Sequence, residues 1–223
     1  MTKAVIFDMY ETLITHYSSP LYFGAEMAQD AGIPKEDFYH LWRGLDYERT
    51  VGSLSLEDLL ERILKENDCY SDELLNKLIA KRVAVKEECF RHLHTEIIPM
   101  LSQLKEQGLL VGLISNCYAE EAKVIRKSEL FPFFDRACLS CELGLAKPDV
   151  KIFERCMKEL NVKPEECLYV GDGGSRELEI TTALGMKAVQ AVWYLQEGST
   201  QPSRRMVDFL QAETPLEVLK YLE

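Results

Sequence analysis

The chain has 223 residues, 47% of them hydrophobic, and a formal net charge of −11 at pH 7. That length suffices for one large domain, or for a core domain carrying a smaller second one. The acidic balance excludes a nucleic-acid or anionic-membrane surface, which needs concentrated positive charge, and no apolar run reaches the roughly 18–20 residues of a membrane-spanning helix.

Met1-Thr2-Lys3 leads straight into a strand, without signal-peptide architecture. Seven cysteines are scattered between Cys69 and Cys167. An odd, dispersed set predicts reduced thiols in a cytoplasm rather than a disulfide framework. Cys138-Leu139-Ser140-Cys141 spells a CxxC, but it falls at a predicted strand end with no second pair, so it is assigned no metal or redox role.

Ala4-Val5-Ile6-Phe7 is an apolar run of the kind a strand buried on both faces of a parallel sheet requires. It ends at Asp8, and the C-terminal end of such a strand is where an open α/β sheet places its ligands. Pro20 to Ala31 predicts a helix closed by Gly32, and Pro34 opens a second through Phe38, Leu41, Trp42, Leu45 and Tyr47 that breaks near Gly52. Ser55 with Asp58 predicts the N-terminus of a third helix, through Leu59, Leu60, Ile63 and Leu64. Ser71 caps a fourth, with Leu74, Leu75, Leu78 and Ile79 on its stripe. Four helices with no strand between them, roughly 18–92, predict a bundle inserted into another domain. Trp42 is read as facing the bundle core, and Arg43 and Arg49 as a solvated face, with contact to a substrate anion under a closing cap as the alternative. His16, His40, His92 and His94 show no metal-ligand grouping, and none is assigned a catalytic role.

From Pro99 the pattern alternates. A helix over 99–107 precedes a buried strand, Leu109 to Ile114, ending at Ser115-Asn116. A helix over 119–128, a strand around Arg136–Ser140, and a loop through Lys147-Pro148 to Asp149, which caps a helix over 150–160, follow. Cys167 to Val170 is the next strand, ending at Gly171-Asp172, then a helix closed by Gly185 and a strand Ala188–Val192. Thr214-Pro215-Leu216-Glu217 is a capping box opening a terminal helix. This alternation predicts an α/β fold with a doubly wound, Rossmann-like parallel sheet.

Such a sheet brings Asp8, Ser115, Lys147 and Asp172 to one edge. A carboxylate can serve as nucleophile, a hydroxyl with adjacent amides can bind transferring oxygens, and a lysine can neutralise developing charge. A second acid beside the first carries a like-charge cost that a divalent cation removes. On these residues the chain resembles the haloacid dehalogenase-like hydrolases. The first motif stands as Asp8-Met9-Tyr10-Glu11-Thr12, the second as Ser115-Asn116, the third as Lys147-Pro148-Asp149, and the fourth as Gly171-Asp172-Gly173-Gly174-Ser175-Arg176-Glu177.

The resemblance implies a core of 1–15 and 93–223, with 16–92 as a helical cap. It makes Asp8 the nucleophile that forms an aspartyl-phosphate. Ser115, Asn116 and Thr12 fall to substrate binding, and Lys147 to orienting and screening Asp8. Mg²⁺ would be held by Asp8, the Tyr10 carbonyl, Asp172 and Glu177. The implied partner is a small phosphorylated metabolite. The departure is Tyr10, where the family's phosphatases carry an acid that protonates the leaving alcohol and then activates water. A phenol with a reference pKa near 10 is a poor base at neutral pH. The family's 2-haloacid dehalogenases carry Tyr there and use no metal, so dehalogenation is the alternative. A low-turnover binding or regulatory protein is a third reading.

Overall fold

The structure is a computed structural model and describes residues 1–196 and 203–222; residues 197–202 and 223 of the expected 93–223 segment lie outside the described residues. All four residues of β1 (Ala4–Phe7) are buried, as the apolar run requires. With β2 (Leu110–Ser115), β3 (Arg136–Leu139), β4 (Cys167–Gly171), β5 (Lys187–Ala191) and β6 (Leu210–Ala212) it forms one sheet of order β3-β2-β1-β4-β5-β6. Every pairing is parallel. The chain leaves β1 toward β2 on one side and β4 toward β5 on the other, so the winding switches between β1 and β4. Ligands of open α/β sheets bind in the crevice outside such a switch point. Asp8 follows β1 and Asp172 follows β4, and the Asp8 amide donates to the Val170 carbonyl at 2.9 Å.

Between β1 and β2 lie α1 (Gly24–Ala31), α2 (Lys35–Gly44), α3 (Asp46–Thr50), α4 (Leu56–Glu66), α5 (Asp72–Cys89) and α6 (Ile97–Glu106). The expected second helix is two, because the chain turns at Leu45 (φ −114°, ψ 24°), just after the weak helix former Gly44. Ser55 and Ser71 cap as expected, accepting from the amides of Asp58 at 3.0 Å and Leu74 at 3.1 Å. Helices α1, α2, α4 and α5 share their own core, in which Met27, Phe38, Leu59, Leu60, Ile63 and Leu78 are fully buried. On α5 the buried stripe runs Leu75, Leu78, Arg82, Lys86, Cys89: it starts aliphatic and turns cationic.

The period-2 alternation of β1 feeds two further cores. Val5 and Phe7 pack with α6 and α7 (Ala119–Lys127). After α8 (Ser140–Leu143), Ala4 and Ile6 pack with α9 (Val150–Leu160) and α10 (Glu177–Ala183). Cys138 belongs to this second core while Cys141 packs against the first, so the CxxC cysteines lie on opposite sides of the sheet. The expected terminal helix is a 3-10 segment, Pro215–Tyr221, in which Thr214 makes no capping bond. The Thr214 side chain bonds to Glu96 instead, and Glu217 accepts from the Glu213 amide at 2.8 Å. No helix among the described residues is long and apolar enough to cross a membrane.

Candidate active site

The turn after β1 carries Asp8, and its Oδ1 accepts from two donors: the Met9 amide at 2.7 Å and the Lys147 ammonium at 2.7 Å. Lys147 reaches it from the loop between α8 and α9, where Asn116 clasps its backbone. The Asn116 side chain donates to the Lys147 carbonyl at 2.9 Å and accepts from the Lys147 amide at 2.8 Å. Asp172 stands at the end of β4 and Glu177 opens α10. Carboxylate oxygens of Asp8, Asp172 and Glu177 lie within 4.8 Å of one another, and all three residues are buried.

Three buried acids against one lysine is an unbalanced set, and the titration behaviour follows. Burial pushes the Asp8 carboxyl up to about 6, with Lys147 pulling it down and Glu177 pushing it up. Asp172 goes further, to about 8, through burial and the neighbouring charges of Asp8 and Glu177. Lys147 is raised despite its burial, because Asp8 and Glu177 favour its charged form. Hard oxygen donors sharing excess negative charge are the ligand set a hard divalent cation takes, and its charge would remove the like-charge cost.

Neighbouring groups hold these acids in place. Glu177 accepts from the amides of Gly173 at 2.8 Å and Ser175 at 2.7 Å, which folds the turn after β4 around it. Asp172 takes the Ser203 hydroxyl on its carboxylate, while its carbonyl accepts from Gln190 at 2.9 Å. Sequence reasoning missed Ser203 and Gln190, whose role depends on tertiary neighbours alone. Glu179 is exposed.

Of the expected substrate-binding residues, Asn116 and Lys147 line the cavity of about 280 Å³ in front of Asp8, together with Tyr10, His16 and Asp172. Ser115 is fully buried, its hydroxyl 3.5 Å from the Asn116 carbonyl. The Thr12 hydroxyl is buried without a hydrogen-bond partner. Tyr10 stacks on His16, and its hydroxyl too is buried and unpartnered. Burial, with Glu121 next, holds the phenol well above its ordinary pKa. Burial and the charge of Lys86 hold His16 well below its own, as a neutral ring.

A second cavity of about 300 Å³ shares Tyr10, His16, Phe23 and Asn116 as walls with the first and extends under the inserted helices to Trp42, Arg82, Lys86 and Tyr118. Around it lies a buried ionic cluster that joins those helices to α7. Arg49 pairs with Glu120 at 3.0 Å, Arg82 with Glu121 at 3.0 Å, and Lys86 with Glu121 at 2.6 Å. Arg49 is 1% exposed, its guanidinium between the rings of Trp42 (4.1 Å) and Tyr118 (3.7 Å). The expectation of a solvated face therefore fails for Arg49 and holds for Arg43, which is exposed. Burial would raise the Glu121 carboxyl, but Lys86 and Arg82 outweigh it and bring it down to about 2.

Comparison with known proteins gives the same picture. The sequence model described as haloacid dehalogenase-like hydrolase matches residues 2–179. A glyceraldehyde 3-phosphate phosphatase of Methanopyrus kandleri is 30% identical over 207 residues, covering 85% of this chain and 84% of its own. A 2-haloacid dehalogenase from Pseudomonas syringae superposes with a TM-score of 0.68 at 23% identity, over 100% of this chain and 98% of its own. A HAD family enzyme from Bacteroides thetaiotaomicron, solved with magnesium and inorganic phosphate, gives 0.66 at 19% identity, over 89% and 96%. The two structural likenesses establish the fold.

Proposed function

We propose, from the premise that the chain belongs to the haloacid dehalogenase-like hydrolases, that it is a cytoplasmic, Mg²⁺-dependent phosphatase of a small phosphorylated metabolite. In this reading residues 1–15 and 93–223 form the catalytic core and 16–92 the cap. The observation that carries it is the grouping of Asp8, Asp172 and Glu177 within 4.8 Å, with Lys147 on Asp8. A metal-free displacement has no use for three buried acids around one centre.

Asp8 attacks phosphorus, its carboxylate oxygen bonding as the ester P–O bond breaks, and the electron pair leaves on the substrate alcohol. Lys147 keeps the attacking carboxylate ionised and oriented and neutralises charge on the transferring group. Asn116 fixes Lys147 through its two backbone bonds. Asp8, Asp172, Glu177 and the Tyr10 carbonyl would hold Mg²⁺, which supplies charge neutralisation at the phosphoryl oxygens. Water then cleaves the aspartyl-phosphate, releasing inorganic phosphate and restoring Asp8. Tyr10, held as a neutral phenol by burial, can hydrogen-bond the leaving alkoxide, which takes its proton from water, and in that neutral form it is a poor base toward the attacking water. Hydrolysis of the Asp8 acyl phosphate is therefore the slow step.

The test is phosphate release from a panel of small phosphate monoesters, with Mg²⁺ and with a chelator. Asp8→Asn and the chelator should each abolish it, and release persisting in Asp8→Asn overturns the reading. One observation favours dehalogenation instead: the aromatic residue at position 10, since a departing halide needs no proton. Halide release from 2-haloacids that survives chelation would select that chemistry.

A further inference from the structure

The cap-side cavity is built for more than holding the cap closed. It adjoins the space before Asp8, since Tyr10, His16, Phe23 and Asn116 are walls of both. A substrate whose phosphate sits at Asp8 therefore extends its other end past Tyr10 toward Arg82 and Lys86. Both are almost fully withdrawn from water.

The cluster behind that wall does not balance. Arg49, Arg82 and Lys86 are three buried cations, and Glu120 and Glu121 are two buried carboxylates. Asp46, also on the wall, is exposed and screened by water. Glu121 has no capacity left for the excess, because Arg82 and Lys86 occupy one of its oxygens and the Tyr118 amide, at 3.0 Å, the other. Donors exceed acceptors as well: Nε of Arg82, and Nε and Nη1 of Arg49, are buried with no hydrogen-bond partner, against a single unpartnered acid oxygen, Oε2 of Glu120, and Arg82 Nε is 3.6 Å from Glu120. A buried, unpaired guanidinium N–H is costly. It is the signature of a site completed by a ligand. The rings of Phe23, Trp42 and Tyr118 line the cavity, and apolar walls beside a charge contact strengthen it.

We propose that this cavity is the subsite for the non-reacting end of the substrate, and that this end carries a carboxylate held by Arg82 and Lys86. The substrate class is then a short phosphate monoester of a hydroxy acid, on the scale of three carbons. The assignment rests on the phosphatase reading above. A neutral aldehyde or hydroxyl in the same place would leave the positive charge unopposed.

The experiment compares 3-phosphoglycerate, glyceraldehyde 3-phosphate and glycerol 3-phosphate, which share the ester and differ at the far end. In the wild type, kcat/KM for the carboxylate should exceed both others by roughly ten- to a hundredfold, the worth of a charge-assisted contact, with the difference carried in KM. In Arg82→Gln and in Lys86→Gln that ratio should fall toward one. The ratio is taken within a single preparation, so partial misfolding of a variant cancels. A wild-type ratio near or below one overturns the subsite while leaving the phosphatase intact. A high ratio that neither substitution alters also overturns it. Failure to hydrolyse any of the three, or p-nitrophenyl phosphate, overturns the phosphatase reading itself.

Discussion

The ring of Tyr10 lies on the imidazole of His16 with centroids 4.5 Å apart and planes inclined by 20°, so a packed phenol stands where the family's phosphatases keep an acid–base carboxylate. Replacing it by that acid is a direct test of what the position limits. Tyr10→Asp should raise kcat for an alkyl phosphate by roughly 10²-fold or more, within the range general acid–base help supplies. The gain should be the same for p-nitrophenyl phosphate, because both esters pass through the same aspartyl-phosphate, whose hydrolysis is limiting. No gain, or a gain confined to the alkyl ester, would mean that activation of water at residue 10 is not limiting.

The acid cluster also makes stability depend on pH and metal together. Asp8 and Asp172 move from an ordinary 3.8 to about 6 and about 8 in the folded protein. Their raised values mean that the native state keeps protons the unfolded chain has released. Stability from these two groups is therefore complete below about pH 4 and is lost as pH rises toward 8. His16, whose pKa is depressed from 6.5, gives the opposite slope at acid pH, so the comparison must be made against Asp172→Asn. In chelator, melting temperature should fall from pH 5 to pH 8 more in the wild type than in that variant. Mg²⁺ should restore it more at pH 8 than at pH 5. A wild type and variant with parallel pH profiles would remove the electrostatic argument for a metal.

Ion pairs in this chain should differ sharply in worth. Glu121 is buried against Arg82 and Lys86, and Glu121→Gln would leave both cations in low dielectric without their partner. A loss of about 3–5 kcal/mol is expected, read from the urea midpoint at constant slope. Arg62→Ala, which removes the exposed pair with Glu66, should cost less than about 1 kcal/mol. Similar losses for the two would show that the cap-to-core cluster does not bear the load assigned to it.

Much of the site was legible in the sequence because Asp8, Lys147, Asp172 and Glu177 each sit beside a strand end or helix start that its neighbours announce. Ser203 and Gln190 were not, since a serine in a loop and a glutamine in a strand carry no local mark of the acid they hold. Arg82 and Lys86 did leave a trace: 75, 78, 82, 86 and 89 follow one helical stripe. Charged residues on a stripe are normally read as its solvated edge, and only the facing acids of α7 make their burial affordable. At three residues, β6 is too short for an alternation signal. Thr214 spells a cap whose hydroxyl a distant acid, Glu96, takes instead.

The contact of the proposed cap with the proposed core is closest at Gly52, and its substitution separates seating of the inserted helices from general helix stability. Gly52 has φ of +75°, and a Cβ there would come within 1.9 Å of the Cys141 carbonyl oxygen, which belongs to α8. Backbone cannot yield as a side-chain tip does, so Gly52→Ala must both strain a left-handed residue and lift the cap. Next to this contact, the Ser140 hydroxyl donates to the Thr50 carbonyl at 2.7 Å and accepts from the Cys117 amide at 2.9 Å. Thr50 lines the cap-side cavity, so lifting the cap moves a wall of the proposed subsite. Gly44→Ala is the control: no atom lies within 4 Å of its Cβ and its φ is not positive. That change should be neutral or stabilise by up to about 1 kcal/mol, because it stiffens the unfolded chain. Gly52→Ala should instead lower the urea midpoint and raise KM with a smaller effect on kcat, since Asp8 and Lys147 stay in place on the core. Were Gly52→Ala as stable and as tight-binding as Gly44→Ala, the close approach at Cys141 would have no part in seating the cap.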